Sequence, residues 1–157
     1  WAADGARLVA CSSDGTVRVW DARTSVCLFD FCPPHEVTAD RPGVVSVALL
    51  PGHADRLVVC CRTNTLHVLT LSGKPVRTFS TGKDEGGDFV AMSLSAQGGY
   101  AHCLAEDSSL YTFDLQEGQL DHLMKVHESG ALGLCVHPHR NLVATWSTDH
   151  SLRLWRA

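Results

Sequence analysis

Four stretches of this chain can be laid over one another, and that self-similarity restricts the possible folds more than any other feature. The first is Leu8 to Asp21 (LVACSSDGTVRVWD) and the second Leu57 to Thr70 (LVVCCRTNTLHVLT). The third is Ala101 to Asp114 (AHCLAEDSSLYTFD) and the fourth Leu142 to Arg156 (LVATWSTDHSLRLWR). Each reads as an apolar strand, a short polar turn and an alternating strand. Asp14, Thr63, Asp107 and Asp149 occupy one turn position, at intervals of 49, 44 and 42 residues. Trp20, Leu69, Phe113 and Trp155 each follow that position by six residues.

The segments between these hairpins repeat as well. Val44 to Leu50, Val90 to Ser95 and Ala131 to His137 precede their hairpins as inner strands, and Cys27 to Phe31, Pro75 to Ser80 and Gln119 to Met124 follow as outer strands. A period of about 40–45 residues with four strands per unit is the signature of a WD40 β-propeller. The long first interval is explained by a Pro-rich insertion, Cys32 to Gly43, and by Pro51-Gly52-His53-Ala54-Asp55. The expected class is all-β: a partial WD40-type propeller with about 3.5–4 blades of a seven-bladed ring. The expected blades are residues 1–31 (partial), 43–80, 88–125 and 127–157, the last without its outer strand. WD40 rings usually complete that blade with an earlier segment of the same chain, so the pattern fits several blades upstream of Trp1. Taken alone, residues 1–157 are expected to expose an apolar flank and open strand edges, and to be unstable.

Composition excludes several function classes. Hydrophobic residues make up 45% and charged residues 19%, as in ordinary globular chains. No apolar run approaches the ~18 residues of a membrane span, and no secretory signal is evident. The net charge is -4, which argues against a general nucleic-acid grip. The seven cysteines lie mostly in apolar runs without a CxxC pair, and read as reduced, intracellular packing residues.

Particular residues then acquire expected roles. Asp14-Gly15 is a tight hairpin turn. Trp20 and Trp155 each bury roughly 150–250 Å² between blades and want a partner for the indole N–H. WD40 blades commonly link a His, a Ser/Thr, an Asp and a Trp, and the resemblance implies that role for His127, Thr145, Asp149 and Trp155. Asp14, Trp20 and Asp107 are the matching members in other repeats, where Ala10 and Cys103 replace the strand hydroxyl and Thr63 the turn Asp. Glu85 falls near the His position of the third repeat. A nucleophile set of Thr145, His127 and Asp149 is the competing reading, and the WD40 match favours structure over catalysis, so no catalytic residue is assigned. Cys135 with His137-Pro138-His139 invites a metal reading, but the end of a strand followed by a Pro turn accounts for it. Gly82-Lys83-Asp84-Glu85-Gly86-Gly87 lacks the order of a phosphate-binding loop. Neither a metal nor a cofactor is expected.

Several stretches narrow the resemblance further: SSDGTVRVWDARTS, VVSVALLP, CRTNTLHVL, SGKPVRTFSTGKDEGGDFV and HPHRNLVATWSTDHSLRLW. Together and in this order they resemble the "suppressor of mec and unc" family of spliceosomal WD40 proteins. Departures include the loop from Phe31 to Arg41, and Trp146 at a position usually small. The resemblance implies a nuclear pre-mRNA splicing factor of the precatalytic spliceosome, not an enzyme, that acts by assembly with protein partners. A RED-type partner would bind through a helical N-terminal region outside these residues; no small-molecule substrate or membrane is implied, and direct RNA contact is left open. Ser13, Arg62, Glu106 and Thr148, at turns near one rim, are candidate partner contacts. The alternative is a substrate receptor of a cullin-4 ubiquitin ligase, because Trp20-Asp21-Ala22-Arg23 is a WDxR sequence of which Trp20, Asp21 and Arg23 would dock.

Overall fold

The computed structural model describes residues 1–2, 4–35, 41–83 and 87–156. Fourteen strands among them form four antiparallel sheets. The first sheet holds β1 (Arg7–Cys11), β2 (Val17–Asp21) and β3 (Cys27–Phe31) in sequence order. The second holds β4 (Val44–Leu49), β5 (Arg56–Cys61), β6 (Thr65–Thr70) and β7 (Pro75–Ser80). The third holds β8 (Phe89–Leu94), β9 (Tyr100–Ala105), β10 (Ser109–Asp114) and β11 (Gln119–Lys125). The fourth holds β12 (Ala131–Val136), β13 (Leu142–Ser147) and β14 (Leu152–Arg156). Each sheet is a meander of sequential neighbours, the connectivity that short polar turns impose. The inner strands β4, β8 and β12 lie side by side, so successive sheets radiate from a common axis as propeller blades.

The core is a set of seams between sheets. Val17 and Val19 of the first sheet pack with Leu57, Val59, Cys61 and Leu69 of the second. Val58, Cys60, Leu66 and Val68 use the opposite face of the second sheet to meet Ala101, Cys103, Tyr111 and Phe113 of the third. Leu104 and Leu110 then meet Leu134 and Val143 of the fourth. Consecutive residues of β5 are therefore buried on both faces, which is why Leu57–Cys61 reads as an unbroken apolar run. Phe89, Tyr111 and Phe113 stack edge to face at 5.9 and 6.2 Å, which adds directional contact to the second seam. On the flank of the fourth sheet that faces away from the third, Leu132, Trp146, Leu152 and Leu154 are exposed.

A second periodicity lies in the irregularities. The inner strand shifts register against its neighbour at Val44/Ser46, Phe89/Ala91 and Ala131/Gly133. The outer strand shifts at Val19/Trp20, Val68/Leu69 and Thr112/Phe113. Such bulges bend a strand and increase its twist, which a radial blade requires at both its inner and outer edges. Two inner strands differ by one residue from the expected bounds: that of the third sheet starts at Phe89, not Val90, and that of the fourth ends at Val136, not His137.

Candidate functional site

The chain's polar chemistry is concentrated in the turns that join β1 to β2, β5 to β6, β9 to β10 and β13 to β14. At each turn an oxygen accepts the backbone N–H two residues on: Asp14 from Thr16 (2.9 Å), Thr63 from Thr65 (3.2 Å), Asp107 from Ser109 (2.9 Å) and Asp149 from Ser151 (2.8 Å). This short-range bond is available to Asp and Thr alike, so Thr63 replaces Asp without loss of the turn. Gly15 adopts φ 81° immediately after Asp14, and Ser108 and His150 adopt φ 64° and 62° at the same place in their repeats.

The fourth sheet builds a continuous network on its turn. Trp155 Nε1 donates to Thr145 Oγ1 at 2.9 Å, and Thr145 Oγ1 lies 2.9 Å from His127 Nε2. His127 Nδ1 lies 3.1 Å from Ser151 Oγ and 3.5 Å from Asp149 Oδ2. One tautomer satisfies every atom: the Thr145 hydroxyl donates to Nε2, and Nδ1–H donates toward Ser151 and Asp149. The Asp149 carboxyl is held at about 2, first by the Ser151 hydroxyl and amide and then by the neighbouring His127. His127 and Thr145 are buried. The chain of bonds ties the β11–β12 connection, β13, the turn and β14 together. It also answers the nucleophile reading: the Thr145 hydroxyl is inaccessible and engaged on both sides, so it cannot meet a substrate.

The other repeats solve the same turn differently. In the third, Lys83 Nζ reaches Asp107 at 2.9 Å and stands 5.5 Å from the centre of the Tyr111 ring, whose hydroxyl lies 3.3 Å from Asp107. Lys83 thus occupies the place that His127 holds in the fourth; Glu85 lies outside the described residues, as do Asp84 and Gly86 of the glycine-rich loop. In the second, hydroxyls and an imidazole run outward along β6: Thr63 Oγ1 to Thr65 Oγ1 at 2.7 Å, Thr65 to His67 Nε2 at 3.4 Å, and His67 Nδ1 to Thr78 Oγ1 at 3.0 Å. In the first, Asp14 is bonded to Thr16 but Ala10 offers Trp20 no acceptor. Among the described residues no bond from the Trp20 indole is found, and the ring is half-buried.

Ser151, Lys83, Thr65 and Thr78 were not singled out from sequence. Ser151 had a usable signal, because a hydroxyl stands two residues after the turn position in all four repeats: Thr16, Thr65, Ser109 and Ser151. Lys83 had none, since its reach to Asp107 depends on the course of a loop.

Ser13, Arg62, Glu106 and Thr148 are all exposed and hold equivalent places on successive sheets. The backbone N–H groups of Arg62, Glu106 and Thr148 are bound to Gly43, Asp88 and Gly130, which fixes these turns against the preceding connection (2.7, 2.9 and 3.0 Å). Their side chains therefore form a row along one rim of a rigid frame. In the WDxR segment, Asp21 Oδ1 accepts Arg23 N–H at 3.0 Å and Thr24 N–H at 2.7 Å, so its carboxylate closes a turn, while Arg23 is exposed. His137 and His139 are not arranged as a ligand pair: His137 Nδ1 accepts the backbone N–H of His139 at 3.0 Å. Among the described residues no group of three His, Cys, Asp or Glu could hold a metal ion, and no helix is long and apolar enough to cross a membrane. No disulfide joins the seven cysteines. The neighbouring Cys103 thiol and burial raise Cys60 well above the usual thiol range, and burial pushes Cys61 up to about 12, as befits packing residues.

Comparison with known proteins fits this geometry. The family described as "WD domain, G-beta repeat" matches residues 1–21 and 118–156. The WD40 repeat-containing protein smu1 of Dictyostelium discoideum is 30% identical over 155 residues, which cover 98% of this chain and 29% of smu1. Human Striatin-4 is 30% identical over 154 residues, 95% of this chain and 20% of that protein. The chain thus spans under a third of these curated relatives. Two solved structures share the fold over 100% of the chain. A chain of the mitotic checkpoint complex has a TM-score of 0.81 at 21% identity with 47% of it covered. The Cps50 (Swd1) propeller of Myceliophteria_thermophila has a TM-score of 0.80 at 17% identity with 52% covered. Repeats, sheet order and relatives agree: the chain folds as part of a WD40-type β-propeller, and it is similar to smu1 along nearly its whole length.

Proposed function

We propose that this propeller is a protein-interaction scaffold of a nuclear pre-mRNA splicing factor, acting in the precatalytic spliceosome. The observation that carries the reading is the similarity to smu1 across 98% of the chain, joined to the resemblance of segments such as TGKDEGGDFV to the "suppressor of mec and unc" family. The geometry supports the scaffold part. Buried polar groups are spent on holding blades, and chemically varied side chains (Ser13, Arg62, Glu106, Thr148) stand exposed at equivalent turns. Recognition by such a row works through shape and charge on a frame that does not rearrange, so little ordering entropy opposes binding. In this reading a RED-type protein joins the assembly through a region outside residues 1–157, and the blades add further protein contacts.

Affinity purification of the tagged full-length protein from nuclear extract tests the proposal. Spliceosomal proteins should be enriched. Enrichment of a cullin-4 adaptor instead, lost on Arg23→Ala, would support the ligase-receptor alternative, for which the exposed Arg23 is the favouring observation.

A further inference from the structure

Antiparallel meanders place alternate turns at opposite ends, so the loops after the inner strands and the turns before the outer strands share the rim opposite Ser13, Arg62, Glu106 and Thr148. On that rim a cavity of about 330 Å³ opens between the second and third sheets, within the usual ~300–1,000 Å³ of ligand sites. Its apolar side is formed by Leu50, Val68 and Val76, and its charged side by Arg56 and Arg77. No Asp or Glu lines it.

Arg77 comes from the outer strand of the second sheet and crosses to the third. Its Nη1 donates to the carbonyl oxygens of Leu115 (3.0 Å) and Gln116 (2.9 Å). Those bonds use both Nη1 hydrogens and fix the plane of the guanidinium. The Nε/Nη2 edge remains, a fork whose spacing matches the two oxygens of a carboxylate. Carbonyls orient the group without neutralising it, and among the described residues no carboxylate lies within 4.0 Å of Arg56 or Arg77. Two uncompensated cations beside an apolar wall are unusual on a chain of net charge -4.

We infer that this inter-blade cavity is a docking site for a short acidic peptide segment of a partner protein, with a carboxylate on the Arg77 fork and Arg56 and an adjacent apolar side chain against Leu50 and Val76. Charge complementarity selects the carboxylate. The lining selects a peptide over nucleic acid, because it contains no Phe, Tyr or Trp on which bases could stack, and two arginines are few for a phosphate backbone. The site is separate from the rim of the proposed splicing contacts and does not depend on that reading.

Fluorescence anisotropy with the full chain tests it. The probes are a labelled decapeptide of alternating Glu and Leu, the same peptide with Gln for Glu, and a ten-nucleotide uridine RNA. The acidic peptide should bind, weaken with added salt, and lose about tenfold or more in affinity in Arg56→Gln, a fold-change worth about 1.4 kcal/mol. Arg56 makes no side-chain bond in the fold among the described residues, so this variant should melt like the parent. Arg77→Gln should weaken binding as well, and Arg62→Gln on the opposite rim should not. Equal binding of the Glu and Gln peptides, preference for the RNA, or undiminished binding by Arg56→Gln would each overturn the proposal.

Discussion

Trp155 donates its indole N–H to the hydroxyl of Thr145, both held on one face of the fourth sheet. That bond is the hub of the only repeat in which His, Thr, Asp and Trp all meet among the described residues. Thr145→Val should remove the acceptor of Trp155 and the partner of His127 inside a sealed site. A loss of about 2–3 kcal/mol is expected, because two buried polar groups are left unpaired. Thr145→Ser should lose less than about 1 kcal/mol. Urea denaturation of the three proteins checks the ordering.

Gly133 and Trp146 form a second coupled pair. A Cβ at Gly133 would run into the indole ring of Trp146. Gly133→Ala should therefore destabilise by about 1–3 kcal/mol, the range for overpacking. Trp146→Ala should relieve most of that penalty. A double-mutant cycle in which the two effects simply add would show that the ring is not in the way.

His150 sits at φ 62°, a conformation that costs a residue with a Cβ about 1–2 kcal/mol. Its side chain is exposed, so His150→Gly should stabilise by about 0.5–1 kcal/mol after the greater chain entropy of glycine is subtracted. Ser108 shares the backbone conformation but is buried, and its Oγ accepts the N–H of Ala131 at 3.4 Å. Ser108→Gly should gain less or lose stability, and thermal melts of the pair separate strain from hydrogen bonding.

His67 and His102 are buried against Thr78 and Thr112, and desolvation lowers both imidazole pKa values below the usual 6.5. The folded state thus keeps them neutral where the unfolded chain takes up protons. Their contribution is complete above pH 6.5 and is lost as pH falls through the depressed folded-state values. Denaturation midpoints should drop between pH 7.5 and 5.5, and more shallowly in a His67→Gln/His102→Gln variant. Asp149, held at about 2, acts in a lower window: stability that it supplies above pH 3.8 disappears as pH approaches 2. A midpoint independent of pH from 7.5 to 5.5 would contradict the histidine assignment.

Much of this was readable from residues alone, for a reason particular to repeats. A position that recurs every forty-odd residues announces its role through its alternates, so Asp14, Thr63, Asp107 and Asp149 could be aligned before any coordinates. The hairpins fell within a residue or so of their observed limits because apolar alternation and turn chemistry agree there. The bulges were hidden, since a register shift leaves no mark in hydrophobic patterning. Long-range polar partners were hidden too: Lys83 on Asp107 and Arg77 on the third sheet depend on where loops and long side chains travel. Ser108 and His150 could have been read as left-handed positions by alignment with Gly15, but their residue types gave no warning.

Under the proposed function, the exposed row of turn residues would bring this protein into the spliceosome. Quantitative mass spectrometry of proteins co-purifying with the full-length parent and with Arg62→Glu/Glu106→Lys measures it most directly. Spliceosomal proteins should be enriched with the parent and depleted at least severalfold with the variant, at an unchanged unfolding midpoint. Equal recovery of those proteins by both, or their absence from both, would contradict the account.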